Sequence, residues 1–374
     1  MSTMRAAVLE TTGLDFSVQE LQLPEPRAGE VRIKVVACGV CHTDLHVMKG
    51  EVVFPQPGVL GHEVSGIVDA IGQGVTNVAV GDRVVSAFIM PCGKCRHCVR
   101  GLEDICEQFF AFNRLKGQLY DGETRLFRPD GTPVAMYSMA GMAEYSIVPD
   151  TDVFIVPDEL PLADAAILGC SVFTAVGAVR NVAEIRTGDT VAVVAVGGVG
   201  LNLVQVARAF GAEKVIAIDI APDKLELARR LGATHIVNSL ETDPVAAVRE
   251  ITGGRGVDVA FEALGAAKTV ENAIAMVDDG GAVVLVGIAP AGVTAGLNIA
   301  HVVRRKIRIL GSYGARARTD MPIVLQLAAE GKIKVGDLIS ERYGLDDADT
   351  AFQRLARGEV LGRAVVEPAR ITAP

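Results

Sequence analysis

Beyond Cys170 the chain settles into a rhythm that few folds can accommodate. Apolar, β-branched runs are expected as strands at 190–195, 214–219, 235–237, 257–262, 282–286 and 307–310. Amphipathic stretches between them predict helices at 199–210, 222–231, 244–252 and 267–276, after a first helix from Ser171 to about Val182. Strands that are apolar on both faces and separated by such helices must be covered on both sides, which specifies a doubly wound parallel sheet.

A glycine-rich turn sits where such a sheet binds a dinucleotide. Ala195-Val196-Gly197-Gly198-Val199-Gly200 follows the first strand and opens the next helix, and Asp219 ends the second strand. Glycines there let backbone N–H groups approach a pyrophosphate at the helix N-terminus, and an acid at that distance accepts hydrogen bonds from the adenosine ribose. The Asp219 carboxylate would repel a 2′-phosphate, which favours NAD over NADP, and Lys224 is placed to flank the ribose. Ala195 stands where the pattern has its first glycine, so negative φ is expected there; positive φ would mean a misplaced register.

The first part of the chain reads differently. Short β-like runs at 31–36, 63–71 and 82–85, then 143–148 and 153–156, are punctuated by Gly and Pro, which suggests a compact, mostly antiparallel, barrel-like domain. Residues 107–140 carry Asp-Gly turns and are expected as a long surface loop. A final helix at 346–357 and strand at 362–366 are expected to rejoin the first domain. The expected division is 1–172, with a lobe at about 90–110, then a nucleotide-binding domain at 173–312 and a return at 313–374.

Two groups of residues have the character of metal ligands. Cys92, Cys95, Cys98 and Cys106 are spaced to surround one tetrahedral zinc in a closed, unreactive site. An iron–sulfur cluster is the competing reading, but its usual run has a shorter last gap followed by proline, and Cys106 precedes Glu107. Cys41 and His62, the latter within Gly61-His62-Glu63, would form a three-ligand site with the distant Cys170. Three protein ligands leave a position for water or substrate, the mark of a catalytic zinc.

Bulk properties exclude other classes. A net charge of −9 and no local basic cluster argue against nucleic acid as a partner. The start, Met1-Ser2-Thr3-Met4-Arg5, lacks a signal peptide's apolar core, and the longest apolar stretch is broken by Gly197, Gly198, Gly200, Asn202 and Gln205, so no membrane partner is expected. Seven cysteines, an odd number with four of them clustered, fit metal thiolates in a reducing, cytoplasmic setting better than disulfides.

Both metal patterns and the dinucleotide turn, in this order, resemble the zinc-dependent medium-chain alcohol dehydrogenases over essentially the whole chain. Gly61-His62-Glu63-Val64-Ser65-Gly66, with Gly72 and Val75 downstream, resembles that family's zinc signature. The resemblance implies a GroES-like, mostly-β catalytic domain joined to a Rossmann domain, with two zinc ions and NAD. It makes Cys41, His62 and Cys170 the catalytic ligands, with Glu63 close behind and Asp44 orienting His62. Thr43 becomes the hydroxyl that bonds the substrate alcohol, and His46 the outer end of a proton relay through the cofactor ribose. His42 and Arg363 are implied to face the pyrophosphate, and Phe88 and Ile288 to line the substrate pocket. The long segment 107–140 resembles the dimeric branch, whose members join through an edge strand, here 307–310.

The implied reaction is reversible hydride transfer between NAD and a primary or secondary alcohol, apolar or aromatic, giving an aldehyde or ketone. An alternative within the family is a thiol-adduct formaldehyde dehydrogenase of the S-hydroxymethyl-glutathione type. That branch anchors a carboxylate with an arginine shortly after the fourth lobe cysteine, where this chain has Phe109 and Phe110; Arg114 could substitute if the loop shifts. A non-catalytic zinc- and NAD-binding protein is the reading from outside enzymology.

Overall fold

A computed structural model describes residues 2–370; residues 1 and 371–374, the ends of the expected segments 1–172 and 313–374, lie outside the described residues. The chain divides into two compact units. One runs up to Cys170 and takes in Arg316–Ala329 and the chain from Val335 onward; the other is Ser171–Ala315 with Glu330–Lys334.

The second unit is built on a parallel sheet which, among the described residues, has six strands. Its order is His235–Asn238, Lys214–Asp219, Thr190–Val194, Val257–Glu262, Val277–Leu285 and Arg308–Gly311, every neighbouring pair parallel. Thr190–Val194 is buried along its whole length, as an interior strand covered on both faces must be. Helices Gly198–Ala209, Pro222–Arg230, Pro244–Ile251 and Ala267–Met276 alternate with these strands. Helix Pro244–Ile251 begins where its sequence dictates: Asp243 accepts from Val245 N and Ala246 N at 2.9 Å each, and Pro244 occupies the first turn, where a missing N–H costs nothing.

The first unit is mostly antiparallel. Its long strand Glu30–Val40 lies between Val64–Ile71 and Arg363–Val366, and pairs along its first half with Tyr145–Pro149. A second sheet carries Thr3–Leu9, Ser17–Gln22, Gly58–Val59, Pro133–Met136 and Leu126–Phe127.

Two departures from the sequence reading concern this unit. The segment 107–140 is not a surface loop throughout: Phe109–Arg114 forms a π-helical stretch, and two short strands join a sheet. Its apolar residues Phe109, Leu126, Val134, Met136 and Tyr137 are buried, and that burial outweighs the turn signals around them. The stretch after Tyr313 contains helix Ala317–Ala329 and strand Ile339–Tyr343, which the sequence rhythm did not announce.

Candidate active site

Neighbouring strands of the first unit bring the first metal constellation together. Glu30–Val40 ends just before Cys41, and its antiparallel neighbour Val64–Ile71 begins just after His62 and Glu63. Cys38 pairs with Val64, and Gly39 N donates to Glu63 O at 2.9 Å, so Cys41 and His62 emerge at one end of the sheet. On the other side Val40 pairs with Ala364, which delivers Arg363 to the same place. Gly39 must lack a side chain: a Cβ there would lie 2.1 Å from Glu63 Oε2 and 2.8 Å from its Cβ.

Cys170 arrives by another route. It follows the 3-10 turn Ala166–Gly169, which is clipped to a neighbouring segment by Phe88 N donating to Gly169 O at 2.9 Å. A Cβ on Gly169 would meet Ser86 O at 2.0 Å, so only glycine permits this approach. Ligand atoms of Cys41, His62, Glu63 and Cys170 all lie within 4.8 Å of one another, every residue buried. Cys170 Sγ is 3.5 Å from His62 Nε2.

The electrostatics suit a cation. Asp44, fully buried, takes the other ring nitrogen of His62, with Nδ1 3.1 Å from Oδ1 and 3.0 Å from Oδ2, and also accepts from Gly61 N at 3.1 Å. Nδ1 is thereby committed and Nε2 faces the sulfurs. Burial works against a charged imidazole, but Asp44 and Cys41 outweigh it and push His62 up to about 9. The hydrogen bond from Cys170 holds the Cys41 thiol well below its ordinary value, aided by His62, while the same contact and burial push Cys170 up. One sulfur of the pair is thus poised as a thiolate. Glu63 Oε1 pairs with the Arg363 guanidinium and lies 4.0 Å from His62 Nε2, while Oε2 is buried without a partner. Two buried sulfurs, a ring nitrogen and an orphaned carboxylate oxygen are a donor set that a borderline-soft divalent ion such as zinc satisfies.

Other expected residues cluster close by. Cys41 begins helix His42–Met48, on which Thr43 Oγ1 stands 3.7 Å from Cys41 Sγ; His42 is exposed and Thr43 and His46 are half-buried. His46 Nδ1 contacts Glu51 Oε2, a partner the sequence reading missed. The Phe88 ring lies 6.0 Å from the His62 ring, edge to face. Tyr137, missed because its segment read as a surface loop, stands 6.1 Å from the same ring, with its hydroxyl buried and unpartnered. The Arg114 guanidinium covers Tyr137 at 4.4 Å. Ile288 belongs to the second unit, where it is 56% exposed.

The second constellation, Cys92, Cys95, Cys98 and Cys106, also has its ligand atoms within 4.8 Å of one another, and all seven cysteines of the chain are free. Successive backbone amides point at the sulfurs: Cys92 N to Cys106 Sγ and Cys95 N to Cys92 Sγ at 3.3 Å, Cys98 N to Cys95 Sγ at 3.5 Å. At Cys95, burial is outweighed by such donors and the thiol is pushed down to about 6; burial and the charge of Cys92 push Cys106 up to about 11. Four sulfurs with amide donors behind them fit a closed zinc site.

In the second unit, strand Thr190–Val194 ends and helix Gly198–Ala209 begins around the glycine-rich turn. Asp219 Oδ2 accepts from Val196 N at 2.8 Å, and Oδ1 accepts from Ile220 N at 2.8 Å and Ala221 N at 3.0 Å. Lys224 lies half-buried on the following helix. The expectation for Ala195 is overturned, since its φ is +71°. Strand end, helix start and the close approach of Gly200, whose Cβ would sit 2.0 Å from Ala195 O, nevertheless keep the turn in register. What fails is the step from an alanine to negative φ. Ala195 N bonds Ile218 O at 2.8 Å and the next amide is held by Asp219, which together offset a strain of about 1 kcal/mol.

Comparison with known proteins adds a third line. Residues 27–158 match the family described as alcohol dehydrogenase GroES-like domain, and residues 198–330 that described as zinc-binding dehydrogenase. The chain is 35% identical over 370 residues to an NDMA-dependent alcohol dehydrogenase of Amycolatopsis methanolica, covering 98% of this chain and 99% of the relative. It is 36% identical over 370 residues to an S-(hydroxymethyl)glutathione dehydrogenase of Komagataella pastoris, covering 97% of each. The crystal structure of benzyl alcohol dehydrogenase from Acinetobacter calcoaceticus superposes with a TM-score of 0.92 at 33% identity, covering 99% of this chain and all of that one.

Proposed function

This chain belongs to the zinc-dependent medium-chain alcohol dehydrogenases, and from that footing we propose that it interconverts an apolar or aromatic alcohol and its aldehyde or ketone with NAD. The observation that supports this most is the convergence of Cys41, His62 and Cys170 on one buried point, with Asp44 behind the imidazole. Those three residues would hold a catalytic zinc, and the four lobe cysteines a structural one. When bound, the catalytic zinc supplies a Lewis acid that acidifies an alcohol, and NAD supplies the hydride acceptor.

The protein's own groups do the rest. Asp44 fixes the His62 ring so that only Nε2 is offered as a ligand. Thr43 takes the hydrogen bond of the alcohol hydroxyl, and His46 carries the proton to solvent. Glu63 and Arg363 neutralise one another beneath the site, so neither is an isolated buried charge. Phe88 gives the substrate an apolar wall and keeps water away from the reacting carbon. Asp219, with lone pairs left beside its three amide donors, selects a free ribose and hence NAD; Gly197, Gly198, Val199 and Gly200 would receive the pyrophosphate, with Lys224 contributing.

We read the working form as a homodimer joined through edge strand Arg308–Gly311, whose Ile309 is 38% exposed. Seven free cysteines support a reducing, cytoplasmic setting. Among the described residues no single helix is long and apolar enough to cross a membrane.

A second reading, oxidation of a thiol–formaldehyde adduct, draws support from Arg114, which has no carboxylate partner among the described residues and stacks on Tyr137 beside the His62 ring. Formaldehyde oxidation measured with and without glutathione separates the two. A panel of alcohols with NAD and NADP tests the main proposal: apolar and aromatic alcohols should reduce NAD readily and NADP poorly, and no turnover across the panel with both zinc sites filled would refute it.

A further inference from the structure

Helix His42–Met48 ends in a turn that folds the chain back over its own last residues. Lys49 N bonds Leu45 O at 2.9 Å, Gly50 takes φ +73°, and the amides of Glu51 and Val52 both donate to His46 O, at 2.9 and 3.2 Å. A residue with a Cβ at Gly50 would be strained by about 1 kcal/mol, so the glycine makes this return inexpensive. The outcome is that the Glu51 carboxylate reaches the imidazole five positions upstream and accepts from His46 Nδ1. Both side chains keep partial contact with solvent, 33% for His46 and 40% for Glu51. His46 and, more weakly, Lys49 hold the Glu51 carboxyl below its ordinary value, so it is ionised at neutral pH.

An imidazole offers its two nitrogens for different tasks, and the partner of one decides what the other does. A carboxylate on Nδ1 keeps the neutral ring's proton there and leaves Nε2 as the basic atom. The same division of labour is imposed on His62 by Asp44, but there Nε2 faces sulfurs, whereas His46 lies on the half-exposed side of its helix.

We propose that Glu51 is a positioning residue for His46, holding the Nδ1–H tautomer so that Nε2 receives the proton released by the alcohol and passes it to water. This rests on the reading of His46 as the outer end of the proton path. In the step, the alcohol O–H bond breaks and its electron pair stays on oxygen. The proton passes to the Thr43 hydroxyl, which gives up its own, and Nε2 takes up the proton at the outer end of the path, giving an imidazolium. Loss of that same Nε2 proton to water or a buffer base restores the neutral ring, and Glu51 stays a carboxylate throughout.

Nitrogen-15 NMR of histidine-labelled, zinc-loaded enzyme without NAD, at a pH where His46 is neutral, reads the tautomer directly. Wild type should show His46 mainly as Nδ1–H. Glu51→Gln should shift it toward the Nε2–H form that an unconstrained histidine side chain prefers, and Glu51→Asp should retain part of the wild-type signal. Single-turnover alcohol oxidation should slow about tenfold in Glu51→Gln, a fraction of what general acid–base groups supply, with KM within about twofold and the rate restored by added imidazole. Because both side chains are part-exposed, neither change leaves a buried group unpaired, and folding is preserved. His46→Ala separates this inference from the reading beneath it. If His46→Ala slows the reaction but Glu51→Gln alters neither tautomer nor rate, the role of Glu51 is refuted and the proton path stands. An unchanged rate in His46→Ala refutes both.

Discussion

Cys92, Cys95, Cys98 and Cys106 come from one short stretch of chain, whereas Cys41, His62 and Cys170 are collected from a strand end, a strand start and a 3-10 turn far apart in sequence. The lobe is organised by its own backbone, amide after amide pointing at sulfur. The other site is organised by tertiary structure, with Gly39 and Gly169 allowing close approaches, Asp44 behind the ring, and a buried Glu63–Arg363 pair. Four thiolates in a closed shell offer a metal nothing further to do. A mixed set of two thiolates and an imidazole would leave room for a substrate oxygen, so on the reading proposed above one site would serve stability and the other chemistry.

That division is broken most severely at His62. His62→Ala should lower kcat/KM for alcohol oxidation by about a thousandfold or more, the scale of several kcal/mol of transition-state stabilisation. The same variant should keep the metal of the lobe and an ordered far-ultraviolet spectrum; loss of both metals together would mean the two sites are not separable. Next in size is Glu63→Gln, which leaves Arg363 only 4% exposed and without its countercharge, at a cost of about 3–5 kcal/mol in denaturant unfolding. Adding Arg363→Met to that variant should recover part of the loss. Cys95→Ser sharpens the contrast from the other side: a stability loss on the order of 3 kcal/mol is expected, with kcat per folded molecule within about threefold of wild type.

The smallest effect is a pH slope. Burial is outweighed by Asp44 and Cys41, which raise His62 to about 9, so at neutral pH an incoming zinc ion must displace its proton. Affinity at this site should therefore rise by about tenfold per pH unit for each proton displaced, as pH climbs toward that value, and weaken as pH falls. Competition titration against a chelator, with proton release followed in weak buffer, measures it; a flat profile would place the metal elsewhere.

The same contrast explains what was legible in the sequence. The lobe could be read from spacing alone, and the nucleotide-binding sheet from periodicity, with strands Lys214–Asp219 and Val257–Glu262 falling where expected. Both depend on contacts within short stretches. The partnership of Glu63 with Arg363 was out of reach because the strand that follows Glu63 and the strand that Arg363 opens meet only through Glu30–Val40, and neither residue's neighbours in sequence hint at the other. Tyr137 was hidden by turn-rich surroundings that burial overrides, and Glu51 by a reversal that depends on Gly50. Ala195 shows the converse, a local preference overruled by tertiary hydrogen bonds at the turn.

Zinc content per chain, determined beside alcohol-dependent NAD reduction for wild type and Cys170→Ser, bears most directly on whether the buried Cys41, His62 and Cys170 constellation carries the reaction. Two ions per wild-type chain, falling to one in the variant as activity disappears, is the expected result. Full activity with a single ion held by the four lobe cysteines, or a variant as active as wild type, would contradict it.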